Sequence, residues 1–316
     1  MQMKAVRLHD YGGPEVLHYE DAPIPEPESG DVLIRVHATS VNPVDWKIRE
    51  GHVREHIRYK LPLTLGWDVS GVVERAGANA ERFAIGASVY GRPDITRDGA
   101  YAQYVVVREA ELASKPATLD HTHAAAVPFA GLTAWQTLFE APTPMSDVAL
   151  QPGQRLLIHG AAGGVGTWAV QLAKWRCAHV IATASAHNHE FLRELGADEV
   201  IDYTRDAFED VVSPVDAVID LIGGETHARS WKVIKRGGVL ASVITPPSDT
   251  DASRYGVRAA YVFIQANPEH LARLAQLIDA GTIRPIVSEI LPLASAREAH
   301  ELSQAGHVRG KIVLLP

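Results

Sequence analysis

Glycines at 160, 163, 164 and 166 stand between an apolar run, Leu156-Leu157-Ile158, and a helical pattern over residues 165–175. Glycine lets a backbone come close to a ligand, and a helix that starts there aims unpaired N–H groups and its positive dipole end at an anion. Strand, glycine turn and helix in this order form the phosphate cradle of a dinucleotide-binding βαβ unit. Its candidate contacts are Ala162, Gly163, Gly164, Val165 and Gly166. The fit to G-x-G-x-x-G is imperfect, because Ala161 stands in the first glycine's place while Gly163 and Gly166 fill the other two. The competing reading is a turn that needs glycine for packing alone. The strand before, the helix after and a second strand beyond weigh against it.

That second strand is expected over residues 178–185. A site for NAD commonly carries Asp or Glu about 20 residues past the glycines, to hold the ribose 2′-OH. Thr183, Ala184, Ser185, Ala186 and His187 occupy the place here, and the first carboxylate is Glu190. A 2′-phosphate would meet no built-in repulsion, Ser185 could donate a hydrogen bond, and His187 could add partial positive charge. NADPH is therefore expected rather than NADH. Ser185 could also cap the following helix, residues 187–195, and the two roles can coexist.

Other residues invite chemistry with less support. His52-Val53-Arg54-Glu55-His56 matches H-x-x-E-H, a zinc-peptidase string. The segment is polar and charged, reads as a surface loop or lid, and lies in a chain committed to another fold. His121, His123 and the histidines at 187 and 189 read as surface residues. Cys177 is the only cysteine, so it has no internal disulfide partner; its place after an apolar helix suggests inert core.

The elements around these residues fall into two patterns. Residues 1–120 read as β-rich, with strands expected at 4–8, 16–20, 31–40, 69–76 and 101–107, and a short helix over 42–50 that has Asn42 as cap and Pro43 in its first turn. A long Ala-rich helical run covers 123–139, bent near Pro128 and Gly131. Alternating strands and helices follow at 155–159, 165–175, 179–183, 188–195, 199–201, 217–220 and 239–243, the α/β pattern of a parallel sheet. The run 259–264 is a further strand, 268–280 an amphipathic helix, 294–305 a helix and 311–315 a final strand.

Composition narrows the function classes. The 316 residues are 46% hydrophobic and 22% charged, with a net charge of −8, values of an ordinary globular chain of about two domains. The sequence has no basic cluster for nucleic acid, no apolar run long enough to span a membrane, and no signal-peptide core at its start. A reducing cytoplasm is the expected location.

Several strings together carry a family likeness: Ser40-Val41-Asn42-Pro43-Val44-Asp45, Gly66-Trp67-Asp68-Val69-Ser70-Gly71, Gly99-Ala100-Tyr101-Ala102-Gln103-Tyr104, Gly131-Leu132-Thr133-Ala134, the glycine turn, and Gly310-Lys311-Ile312-Val313. The chain resembles a medium-chain dehydrogenase/reductase of the zinc-free quinone oxidoreductase branch. The resemblance implies a Rossmann doubly wound parallel sheet plus a GroES-like partial β-barrel. The barrel would be residues 1–121 and 265–316 and the Rossmann domain 122–264, with the active cleft between them. Zinc members carry Cys where Asn42 stands and His-Glu where Trp67-Asp68 stand. Asn and Trp are outside the usual zinc ligand set, and one cysteine cannot build a four-cysteine lobe.

The resemblance also implies the chemistry. NADPH would deliver hydride, without a metal, to a quinone or an α,β-unsaturated carbonyl, whose conjugation spreads the developing charge. Asn42, Asp45 and Thr133 would lie near the nicotinamide, Trp46 would offer a flat face to a planar substrate, and Ser185, His187 and Tyr203 would surround the adenosine phosphate. Relatives often have Lys where His187 stands, and Thr-Tyr where Trp46-Lys47 stand. The bland alternatives are a helix cap for Asn42, a dipole partner for Asp45 and an ordinary helix residue for Thr133. Rival functions are an alcohol or aldehyde dehydrogenase of the same superfamily and a non-catalytic NADPH-binding redox sensor. The relatives' counterpart of 259–264 pairs with its twofold copy, so a homodimer is expected. In the alternative, Tyr261 and Phe263 pack on their own helix in a monomer.

Overall fold

A computed structural model describes residues 1–140 and 151–316. In chain order the elements begin with β1 (Gln2–Leu8), β2 (Leu17–Pro23), β3 (Asp31–Ser40), α1 (Pro43–Arg49), β4 (Leu63–Thr64), β5 (Val69–Ala76), β6 (Ser88–Gly91), β7 (Tyr104–Arg108), β8 (Leu112–Ser114), α2 (His121–Ala124) and α3 (Pro128–Trp135). Then come β9 (Arg155–His159), α4 (Gly164–Trp175), β10 (His179–Ala184), α5 (His189–Leu195), β11 (Glu199–Asp202), α6 (Phe208–Val211), β12 (Val215–Asp220), α7 (Gly224–Ser230), β13 (Ile234–Ser242), α8 (Asp249–Tyr255) and β14 (Arg258–Tyr261). The chain finishes with α9 (Pro268–Asp279), β15 (Val287–Pro292), α10 (Ala296–Ala305) and β16 (Lys311–Leu315).

Two units result. The first joins both ends of the chain, residues 1–129 and 266–316; the second is residues 130–265. The first boundary lies after Phe129 rather than after residue 121, because α2 belongs with the first unit: Ala125 and Ala126 just beyond it pack with Ala38 and Val313. The expected helical run over 123–139 is broken. α2 stops at Ala124, Pro128 opens α3, and a π-helical turn, Gln136–Glu140, continues it. Proline at the first position of a helix loses no bond there, so the break falls just before it.

In the first unit β3 is the hub. It pairs antiparallel with β5, β7 and β16, in the order β15-β16-β3-β5-β6-β8 with β7 also on β3. The β16 register sets Val313 against Ser40 and Leu314 against Thr39, and Val41 N–H donates to Ile312 O. Thus the last strand of the chain lies beside the segment that leads into α1. Strands β4, β6, β8 and β15 have no counterpart in the sequence reading; they are short, or they alternate poorly.

The second unit is a six-stranded sheet, β11-β10-β9-β12-β13-β14, with parallel pairing throughout. The order reverses about β9, as in a dinucleotide-binding doubly wound fold. Strands rich in Leu, Ile and Val are buried on both faces, with Leu157, Ile181, Val218 and Leu240 in one core with Phe208 and Trp231. The edge strand ends at Tyr261, earlier than expected, although Val262 N–H still donates to Ser242 O. Tyr261 and Phe263 are 36% and 53% exposed. Cys177 is another departure. It is exposed, not core, and takes φ +58 just past the end of α4. The turn that returns the chain to β10 places it outside the apolar face.

Candidate functional site

The first unit holds a buried polar network around Asn42. The Asn42 N–H donates to Asp45 Oδ2 at 2.8 Å, and Asp45 N–H donates back to Asn42 O. The Asn42 side chain, at the N-cap of α1, also reaches beyond the helix. Its Oδ1 accepts from Lys311 Nζ at 2.5 Å, and its Nδ2 donates to Asp68 Oδ2 at 2.7 Å. Lys311 Nζ also donates to Val41 O at 2.7 Å and lies 3.4 Å from Asp68 Oδ2. Asp68 receives Ser40 Oγ on Oδ2 and the Phe129 N–H on Oδ1. Every member except Phe129 is buried. Burial pulls the Lys311 ammonium down from its usual range, while Asp68 and Asp45 oppose that. An ammonium on one end of the Asn42 amide and a carboxylate on the other allow that amide one orientation.

A second chain of bonds reaches Asp45 from behind. Arg49 Nη1 lies 3.2 Å from His300 Nδ1; guanidinium only donates, so that nitrogen accepts and His300 Nε2 carries the proton. His300 Nε2 donates to Tyr101 Oη at 3.3 Å, and Tyr101 donates to Asp45 Oδ2 at 2.8 Å. Burial holds His300 down to about 3, which keeps it neutral as this chain requires. Asp45 is pushed up to about 7 by burial, against the Asn42 N–H, Tyr101 and Lys311. Its Oδ1 is buried with no partner among the described residues. Trp46 follows on α1, its indole N–H also buried and unbonded, with the Lys47 ammonium 5.6 Å from the ring. Lys47 therefore stacks on Trp46 rather than standing free in solvent.

In the second unit the glycine turn has the expected shape with one shift. The left-handed residue is Gly160, at φ +70, one place before Ala161. Ala161 has no such demand on it and is buried, which is why alanine can stand where the fingerprint has glycine. Gly163 precedes α4, and a Cβ on Gly166 would lie 2.4 Å from Gly160 O and 2.6 Å from Ala161 Cα. Gly166 thus lets helix and strand touch. The half-exposed Ala162, Gly164 and Val165 complete the turn, and the first N–H groups of α4 have no carbonyl one turn back. Asp220, buried at the end of β12, accepts the N–H groups of Ile222 and Gly223 and bonds His227 Nδ1, fixing the loop that packs on Gly160.

Ser185 follows β10, with its Oγ 3.2 Å from His187 Nδ1 and 3.4 Å from Asn188 Nδ2. It makes no side-chain cap to the helix beyond. Tyr203 follows β11 and is exposed. Asp202, paired in register with Ala184, is the carboxylate that the sequence reading did not weigh; its Oδ1 is held by the N–H and hydroxyl of Thr204. Of the expected catalytic residues, Asn42, Asp45 and Trp46 lie together on one helix start. Thr133 lies buried on α3 within the second unit, its carbonyl accepting from Thr137. The histidines of His52-Val53-Arg54-Glu55-His56 sit in exposed turns past the end of α1, so helical spacing does not bring them together.

Two family models match the chain. The GroES-like domain of alcohol dehydrogenases covers residues 28–117, and a zinc-binding dehydrogenase domain covers residues 195–314. An NADPH-dependent alkenal/one oxidoreductase of Arabidopsis thaliana chloroplasts is 35% identical over 329 residues, covering 100% of this chain and 80% of that protein. The quinone oxidoreductase of Coxiella burnetii superposes with a TM-score of 0.91 at 37% identity, over 100% of both chains. The chain belongs to the quinone oxidoreductase branch of the medium-chain dehydrogenases/reductases. This quinone oxidoreductase homologue is an oxidoreductase enzyme. The Escherichia coli quinone oxidoreductase complexed with NADPH superposes with a TM-score of 0.89 at 26% identity, covering 99% of this chain and 100% of that one.

In this member of the branch the residues missed from sequence are Lys311, Tyr101, His300 and Arg49. Lys311 was visible only as a lone cation in an apolar strand, a pattern that asks for a buried partner. His300 and Arg49 are 251 positions apart and carried no local signal.

Proposed function

We propose that the protein reduces a quinone or an α,β-unsaturated carbonyl with NADPH and without a metal ion. The observation that carries this reading is the Lys311 ammonium, held by Asn42 Oδ1 and Asp68 at the positions where zinc-bearing relatives have metal ligands. A resident cation already satisfies that carboxylate, and a divalent ion there would meet like charge. No group of three or more His, Cys, Asp or Glu among the described residues could hold a metal. The glycine turn of the second unit would bind the pyrophosphate, with Ser185, His187 and Tyr203 beside the adenosine 2′-phosphate. NADPH when bound supplies the hydride. Asn42 has one amide hydrogen left to offer an acceptor, and the Trp46 ring a flat apolar face. Asp45, wholly buried, acts as a positioning residue through the helix start that it holds. Thr133 would steady the nicotinamide end.

The same reading includes a homodimer paired along β14. It also includes a cytoplasmic location, which fits a single exposed thiol, and no helix among the described residues is long and apolar enough to cross a membrane. The test is NADPH consumption against 1,4-naphthoquinone and trans-2-hexenal, before and after exhaustive chelation, with metal analysis of the pure protein. Turnover that survives chelation supports the reading. Alcohol oxidation restored only by zinc, or NADPH binding with no turnover, overturns it in favour of a dehydrogenase or a sensor.

A further inference from the structure

Arg92 is a buried cation that the network above does not use. It is 5% exposed, and its Nε has no hydrogen-bond partner among the described residues. The carboxylates whose fields reach it are engaged elsewhere. Asp94 binds Arg108 through Oδ2 and Thr96 through Oδ1, while Glu111 binds Arg108 through Oε1 and the Asp94 N–H through Oε2. What Arg92 does have is the Phe129 ring, 5.6 Å from its guanidinium carbon. An aromatic face answers the charge of a guanidinium but none of its five N–H donors. Leaving the Nε–H buried and unmet is costly, so the site asks for an acceptor.

Its place in the fold says which acceptor. The last pair of β5 with β6 is Val69 against Gly91, so Arg92 leaves the sheet at the end where Asp68 leaves it. Phe129, under the guanidinium, bonds Asp68 through its own N–H. A second orphan lies nearby: the hydroxyl of Tyr59 is buried without a partner, its ring 6.5 Å from that of Trp67, and the charge of Arg92 acts on it. Burial keeps that phenol protonated, hence a donor. A cation and a hydroxyl donor, both unspent, thus stand beside the Asn42–Asp68 network in the first unit.

We propose that Arg92 and Tyr59 form an oxyanion subsite that receives the carbonyl oxygen of the acceptor. This rests on the function proposed above. Hydride leaves the nicotinamide with its electron pair and bonds to the β-carbon of an enone or to a quinone. The displaced π pair settles on the carbonyl oxygen, giving an enolate or quinolate and NADP⁺, and solvent then supplies the proton. Donors fixed before the charge appears stabilise it without reorganisation. Arg92 would do here what a Lewis acid does in a zinc enzyme.

The test uses 4-nitrophenol, an oxyanion probe whose ionisation is read by its own absorbance, on the intact protein with and without NADP⁺. Bound to the unmodified protein it should ionise at lower pH than in water. Arg92→Met, which keeps the apolar stem on Phe129, should abolish that shift. Arg92→Lys should keep part of it, and Tyr59→Phe should weaken it. NADPH binding, followed by fluorescence, should be the same in all variants and certifies folding. With 1,4-naphthoquinone, Arg92→Met should lower kcat/KM at least about tenfold, the scale of one charge-assisted bond lost in the transition state. An unshifted probe in the unmodified protein, or a shift that survives Arg92→Met, overturns the subsite. A shift that depends on Arg92 in a protein that reduces no quinone or enone upholds the subsite and removes the proposed function instead.

Discussion

Asn42 has its amide oxygen on an ammonium and its amide nitrogen on a carboxylate, so its remaining N–H points one way. Lys311 is what sets that direction. Lys311→Met should destabilise the fold by about 3 kcal/mol, because it takes from the buried Asp68 the cation that it contacts. Denaturant unfolding measures this, and a loss below about 1 kcal/mol would mean that Ser40, Asn42 and Phe129 suffice for Asp68. Asp45 gives a pH signature. Its folded carboxyl sits at about 7 against an ordinary 3.8. Between those values the folded chain holds a proton that the unfolded chain has lost, so stability falls as pH rises. The contribution is whole below pH 3.8 and gone above about pH 7. Asp45→Asn should flatten that slope in unfolding curves taken from pH 4 to 8, and an unchanged slope would place the titration elsewhere. At this scale the sequence shows Asn42 and Asp45 plainly, since the bond between them is local. It hides Lys311, which meets Asn42 across 269 positions.

At the scale of elements, the glycine turn is the part most open to reading from sequence. Strands β3, β5, β9 and β16 fall where their β-branched and apolar runs place them, because burial on both faces leaves a dense signal. The short strands β4 and β8 fail that test, having too few residues to alternate. Cys177 was misread because an apolar helix says nothing about the turn that ends it. The end of β10 carries the cofactor prediction. Ser185→Asp would set a carboxylate against the 2′-phosphate and should invert the preference from NADPH to NADH, by about tenfold or more in Kd. Fluorescence titration with both nucleotides checks it. Equal affinities in the unmodified protein would instead show that His187 and Ser185 do not select, with Asp202 near enough to offset them.

Across the whole molecule, the two-unit plan with joined chain ends was legible through the return of β pattern after the α/β series. Where the chain crosses between units was less so, because α2 looks like the start of the longer helix. In the proposed homodimer the open edge of the second sheet would govern assembly. Val262 N–H is spent on Ser242 O, and backbone alternation puts the N–H groups of Tyr261 and Phe263 on the free side. An apolar edge left open invites pairing, and a twofold partner closes it. Phe263→Pro should therefore shift a dimer to monomer in light scattering, and a monomeric unmodified protein at micromolar concentration would contradict the edge pairing. The central claim is hydride transfer from NADPH to a conjugated carbonyl with no metal. Its most direct measurement is deuterium transfer from NADPH labelled at C4 to trans-2-hexenal, using chelated protein shown to be free of zinc. The account predicts label at the β-carbon of the saturated aldehyde, one deuterium per NADPH consumed, from one face of the labelled carbon. Unlabelled product, or transfer that appears only when zinc is restored, would contradict it.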